Sequence, residues 1–191
     1  AIPAADFVRA AEGHGQMPAV DRWVMRQSLR WMAEKRRWLR KVAGFAINLS
    51  GASLGDPHLV EYVLEQLSQT GVPPGKIIFE VTETEAIGNI SHAQNFLRTL
   101  SEVGCRFALD DFGSGQSSYG YLKQLPVDYV KIDGMFVRDL ETDEADLAVV
   151  RSVNEIAHFM GKKTIAEFVQ SATTVAKLRE IGVDLGQGFF I

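Results

Sequence analysis

Phe107-Ala108-Leu109-Asp110-Asp111 is a short apolar run that stops at two carboxylates. The same construction recurs along the chain. FAIN ends at Asn48, IIFE at Glu80, YVKID at Lys131 and Asp133, TIAE at Glu167, and DLGQG leads to Gln187. Parallel strands in an α/β protein bring their carboxyl ends to one face, and polar groups placed there build the site. One acidic strand end carries little information. Five or six of them, with an Asn, several carboxylates, one Lys and one Gln, point to a site that holds divalent metal and handles phosphate.

Amphipathic helical stretches separate these strands. Asp56 and Pro57 read as N-cap and first helical residue, ahead of Leu59, Val60, Val63, Leu64 and Leu67, with Gly71 as terminator. Ser91 reads as the cap of the next helix, whose apolar face is Phe96, Leu97, Leu100 and Val103. A third carries Leu147, Val150, Val153, Ile156, Ala157 and Met160, and Ser171 opens a fourth. The strands are apolar on both faces, as parallel strands covered by helices require. Repeated βα alternation predicts a parallel sheet or a (β/α) barrel. The chain nevertheless opens on helices, Ala5 to Ala11 and Val20 to Trp38, with Phe7, Trp23, Val24, Met32 and Trp38 as expected buried residues. About six strands follow, whereas a closed barrel of this kind needs eight.

Composition narrows the classes. At 191 residues and 46% hydrophobic, the chain can bury a core and reads as a single domain over 1–191. A net charge of −4 offers no bulk attraction to a nucleic acid polymer or an anionic membrane. The basic stretch Lys35 to Lys41 reads as a solvated helix end, with a partner contact as the alternative. The single cysteine, Cys105, excludes an intrachain disulfide and reads as a small buried thiol. No apolar run reaches membrane-spanning length and no leader pattern opens the chain, so the expectation is a cytoplasmic protein without membrane contact. His14, His58, His92 and His158 share no ligand spacing, and the tryptophans sit at helix-packing positions.

Six segments, in order, resemble one family: INLS (47–50), EVTET (80–84), LDDFGSGQSS (109–118), KID (131–133), TIAEFV (164–169) and GQGFF (186–190). They are similar to the EAL domain, a bacterial phosphodiesterase domain that linearises cyclic di-GMP to pGpG. The implied fold is α/β, a TIM-like (β/α) barrel, here incomplete with about six strands. The family's Glu-Ala-Leu strand is not among these residues, which predicts a chain lacking its first strands and weak or inactive by itself. A second departure is AEFVQ, with Phe168 and Gln170, where the family usually reads AEGVE. Gln keeps an acceptor oxygen but loses the charge and gains a donor.

The resemblance implies roles residue by residue. Asn48, Glu80, Asp110, Asp111 and Glu167 form an all-oxygen ligand set for two Mg²⁺ or Mn²⁺ ions. Asp110 is the expected bridging ligand, since two unpaired neighbouring carboxylates repel and a shared cation removes the conflict. Lys131 is implied as catalytic, holding the nucleophilic water and offsetting phosphate charge, with an ion pair to Asp133 or Asp128 as the alternative. Glu83 is implied to anchor the Gly- and Ser-rich loop 112–118, and Gln187 and Asp133 to contact substrate. Family members often dimerise near that loop and accompany GGDEF or sensor domains, so a homodimer and such partners are expectations of the same kind. The leading function is hydrolysis of cyclic di-GMP in the parent protein. The alternatives are a non-catalytic cyclic di-GMP receptor and, apart from the resemblance, another Mg²⁺-dependent barrel enzyme.

Overall fold

A computed structural model describes residues 2–113 and 119–191. The chain forms two compact units, Ala1–Val81 with Glu85–Arg106, and Thr82–Thr84 with Phe107–Ile191.

The first unit opens with α1 (Ala4–Gly13), α2 (Met17–Glu34) and α3 (Arg36–Leu39). β1 (Phe45–Asn48), α4 (Gly51–Leu54), α5 (Leu59–Thr70), β2 (Ile77–Thr82), α6 (Glu83–Gly88) and α7 (Ile90–Glu102) follow, of which Thr82 in β2 and Glu83 and Thr84 in α6 belong to the second unit. β1 and β2 run parallel, with Asn48 directly opposite Glu80. α2 buries Met25, Leu29 and Met32 at helical spacing, while β2 is buried along nearly its whole length, as a doubly covered strand must be.

Several expectations need correction here. Phe7, Trp23 and Trp38 are half exposed instead of buried. Trp38 and Trp31 pack edge-on to each other, 5.1 Å between ring centres, and both lean on Phe45. The long early helix breaks at Lys35, between α2 and α3. Asp56 is not the N-cap of α5, because its carboxylate closes a turn onto the His58 N–H at 2.9 Å and pairs with Arg22 at 2.5 Å. The residue preceding α7 is Asn89, whose side chain meets His92 at 2.8 Å, so Ser91 lies inside the first turn.

The second unit continues with β3 (Arg106–Phe112), α8 (Tyr119–Gln124), β4 (Tyr129–Ile132), α9 (Gly134–Arg138), α10 (Glu144–Phe159), β5 (Lys163–Ala166), α11 (Ala172–Ile181) and β6 (Leu185–Gly186). Its strands are parallel in the order β3-β4-β5-β6. Ser171 caps α11 by accepting the Thr174 N–H at 2.9 Å, as the sequence predicts. β4 is buried at all four positions, which places Lys131 in the interior.

Cys105 is buried, and desolvation pushes its thiol up to about 11. Among the described residues, no helix is long and apolar enough to cross a membrane.

Candidate functional site

In the second unit the register of β3 against β4 explains how two adjacent aspartates share one site. Leu109 stands opposite Val130 and Phe112 opposite Ile132, so Asp110 and Asp111 together face the single residue Lys131. This is a β-bulge, two residues against one, and it re-aims side chains that ordinary pleating would send to opposite faces. Asp111 completes the turn with a left-handed backbone, φ 55°, which Asp tolerates better than most residues. Its N–H donates to the Asp110 carboxylate at 3.0 Å.

Lys131 is 2% exposed and lies 2.8 Å from both Asp110 and Glu167. A buried ammonium must be paired, and these carboxylates pair it. Asp110, Asp111 and Glu167 each offer an oxygen within 4.8 Å of the others. Burial pushes the Glu167 carboxyl above its ordinary range; the bond from Lys131 pulls it down, while Asp110 and Asp111 push it up. An all-oxygen donor set of this kind fits a hard divalent cation.

Glu167 follows β5, its N–H held by the Ile132 carbonyl at 3.2 Å. Phe168 then takes a left-handed conformation, φ 53°, which costs a non-glycine residue roughly 1–2 kcal/mol. Its ring lies directly over Gly134, where a Cβ would sit 2.0 Å from the ring edge, and packs on the Arg138 guanidinium at 5.2 Å. Gly188 is required for the same reason: a Cβ there would meet the Val169 backbone at 2.2 Å. Phe168, Glu167, Gln187, Gly188 and Phe189 line an open groove of about 320 Å³.

Glu83 is buried and accepts the Gly113 N–H at 3.4 Å, at the start of the loop it is expected to anchor. Residues 114–118 of that loop lie outside the described residues. Asp133 is half-buried and caps α9 by accepting the Met135 N–H at 2.8 Å. Gln187 is exposed, its N–H held by the Ala166 carbonyl at 2.8 Å. Gln170 is exposed as well. The histidines hold no common site: His14 meets the Ala10 carbonyl, His92 meets Asn89 and His158 pairs with Asp184.

In the first unit Asn48 is exposed at the end of β1 and Glu80 is buried opposite it. The turn after Asn48 is held by two carboxylates that sequence reasoning missed. Asp21 accepts the Ser50 N–H at 2.9 Å and the Ser50 and Ser53 hydroxyls at 2.6 Å each. Glu85 accepts the Gly51 N–H at 2.6 Å. A Ser cap one residue before Gly51 was a legible signal for the turn, but nothing in the spacing marks its carboxylate partners.

Parallel α/β strands whose carboxyl ends bring acidic oxygens together beside a buried lysine are the arrangement of the (β/α) class, and the cluster offers ligand oxygens for a metal ion. The chain belongs to the EAL domain family, whose pattern it matches over residues 1–191. It is 43% identical over 188 residues to the cyclic di-GMP phosphodiesterase PdeB of Shewanella oneidensis, covering 98% of this chain and 22% of that protein. It is 35% identical over 185 residues to the cyclic di-GMP phosphodiesterase PdeF of Escherichia coli, covering 97% of this chain and 25% of that protein. The chain thus spans about a quarter of the length of these curated relatives. Among solved structures it resembles the PaMucR phosphodiesterase in complex with c-di-GMP, with a TM-score of 0.89 and 32% identity. That match covers 98% of this chain and 76% of the other. The EAL domain of FimX from Pseudomonas aeruginosa bound to c-di-GMP matches with a TM-score of 0.90 and 30% identity, over 99% and 75% of the two chains.

Proposed function

We propose that this chain is the catalytic domain of a metal-dependent phosphodiesterase that hydrolyses cyclic di-GMP to pGpG. The observation that carries the reading is the convergence of Asp110, Asp111 and Glu167 on the buried Lys131. The relatives named as cyclic di-GMP phosphodiesterases support the substrate. Asp110, Asp111 and Glu167 would hold Mg²⁺ or Mn²⁺, and Asn48 and Glu80 are assigned to the same two-metal ligand set on the family pattern. When bound, the metal supplies an activated water and neutralises phosphate charge. Hydrolysis joins the water oxygen to phosphorus and breaks the bond to the 3′ oxygen, which leaves with a proton. Lys131, fixed between two carboxylates, donates to the oxygen atoms that gain charge in that step.

Phe168 gives the groove beside Glu167 a rigid aromatic face on which a purine can stack, and Gln187 brings a donor and an acceptor to the same groove. Glu83 positions the 112–118 loop, and Asp133 is assigned to substrate on the family pattern. A cytoplasmic location, a homodimer and companion GGDEF or sensor domains belong to the same reading. The relatives' greater length supports such companions.

A second reading, a cyclic di-GMP receptor without turnover, is favoured by Gln170, an exposed amide where the family pattern has Glu. Calorimetric titration with Mn²⁺ tests the ligand set. The wild type should bind, and Asp110→Asn should bind far more weakly with its fold intact by circular dichroism. Equal binding would refute the assignment.

A further inference from the structure

Asn48 ends β1, and an asparagine amide offers a metal its oxygen only if the backbone holds the side chain in one orientation. The residues that follow are held tightly. Leu49 is buried and its N–H donates to the Glu80 carbonyl at 2.9 Å. At Ser50, the N–H and hydroxyl both reach the Asp21 carboxylate, which also receives the Ser53 hydroxyl. At Gly51, the N–H reaches Glu85 at 2.6 Å, the length of a strong charge-assisted bond. Space is tight at this point as well. A Cβ on Gly51 would stand 2.9 Å from Glu85 Cγ and 3.0 Å from its Cβ, near the stem of the side chain, where little can swing aside.

We propose that Glu85 is a positioning residue for the metal ligand Asn48, with Asp21 as its counterpart on the other side of the turn. Two carboxylates, from α6 and α2, clamp consecutive residues of the turn and fix the direction in which β1 ends. The role rests on the ligand set proposed above. It is separate from that set, since Glu85 touches the backbone of the turn and is not itself assigned to the metal. Loss of a group bonded directly to a metal ligand weakens binding by about 10- to 100-fold, and Glu85 acts one step further out, through the backbone of Gly51, so the lower end applies.

The test is calorimetric titration of the protein with Mn²⁺, beside thermal melting. Glu85→Ala should weaken Mn²⁺ binding by about 10-fold, the lower end of that range. Glu85→Gln, which keeps an acceptor oxygen at the same reach, should recover most of the affinity. Gly51→Ala approaches the same contact from the turn. The added Cβ meets the stem of Glu85, so this variant should melt somewhat lower than the wild type. It should also lose Mn²⁺ affinity when titrated at a temperature where both are fully folded, while the recovery in Glu85→Gln separates positioning from a merely structural role. Wild-type affinity in both Glu85→Ala and Gly51→Ala would overturn the proposal while leaving the ligand set standing. A wild type that binds no Mn²⁺ would overturn the ligand set and the proposal together.

Discussion

Replacing Lys131 by Met keeps much of the side-chain volume and removes the charge that sits 2.8 Å from both Asp110 and Glu167. Breaking a buried ion pair by deleting one partner costs about 3–5 kcal/mol, because the remaining charge is left uncompensated. Here the two carboxylates are 14% and 12% exposed, so some solvent reaches them and the lower end, ~3 kcal/mol, is the expected loss at neutral pH without divalent metal. The pH dependence has a definite sign. Glu167 already has a raised pKa, chiefly from burial, and removing Lys131 raises it further. A carboxyl with a raised folded-state pKa contributes stability below its unfolded value of 4.5 and loses it as pH rises through the folded value. The deficit of Lys131→Met should therefore shrink on acidification, and Mg²⁺ or Mn²⁺ should also shrink it by supplying the missing charge. Urea unfolding followed by circular dichroism, in EDTA and in Mn²⁺, reads both effects. A variant as stable as the wild type in EDTA at pH 7.5, or a deficit indifferent to both metal and acid, would refute this account of the cluster.

Three further outcomes are expected. Phe168→Gly relieves the left-handed strain but removes the aromatic face, so the KM for cyclic di-GMP should rise by roughly 5- to 100-fold, the range of one lost base stack; hydrolysis of bis(p-nitrophenyl) phosphate, which has no purine, should change little. Gln170→Glu should raise turnover or tighten Mn²⁺ binding if the neutral amide weakens the site, and an unchanged variant would show Gln to be an accepted residue there. Cys105, with its thiol pushed up to about 11 by burial, should resist iodoacetamide at pH 8 in the native protein and react once urea unfolds it; rapid native labelling would contradict the burial.

Much of this architecture is written in local pattern. The strands that carry Asn48, Glu80 and Asp110, and the one that Glu167 follows, lie where the alternation puts them, because doubly covered parallel strands need continuous apolar runs, although β2 and β3 each run two residues past Glu80 and Asp110. The Ser171 cap is equally plain. What stayed hidden depends on tertiary partners. Asp56 looks like a cap until Arg22, distant in sequence, pairs with it, and Phe7, Trp23 and Trp38 look buried because periodicity does not say how much surface a neighbouring element will cover. The convergence of Asp110 and Asp111 hangs on a bulge, and no residue type announces a bulge by itself. The cradle of Gly134 beneath Phe168 and the grip of Glu85 on Gly51 join residues about 34 positions apart, and only the folded chain brings them together.

The most direct measurement is product analysis by chromatography after incubating the parent protein, not this chain alone, with cyclic di-GMP and Mg²⁺ or Mn²⁺. The account predicts linear pGpG, formed only with metal and lost in EDTA and in Asp110→Asn. Binding of cyclic di-GMP by the folded protein with no product under any metal would contradict the phosphodiesterase and leave the receptor reading in its place.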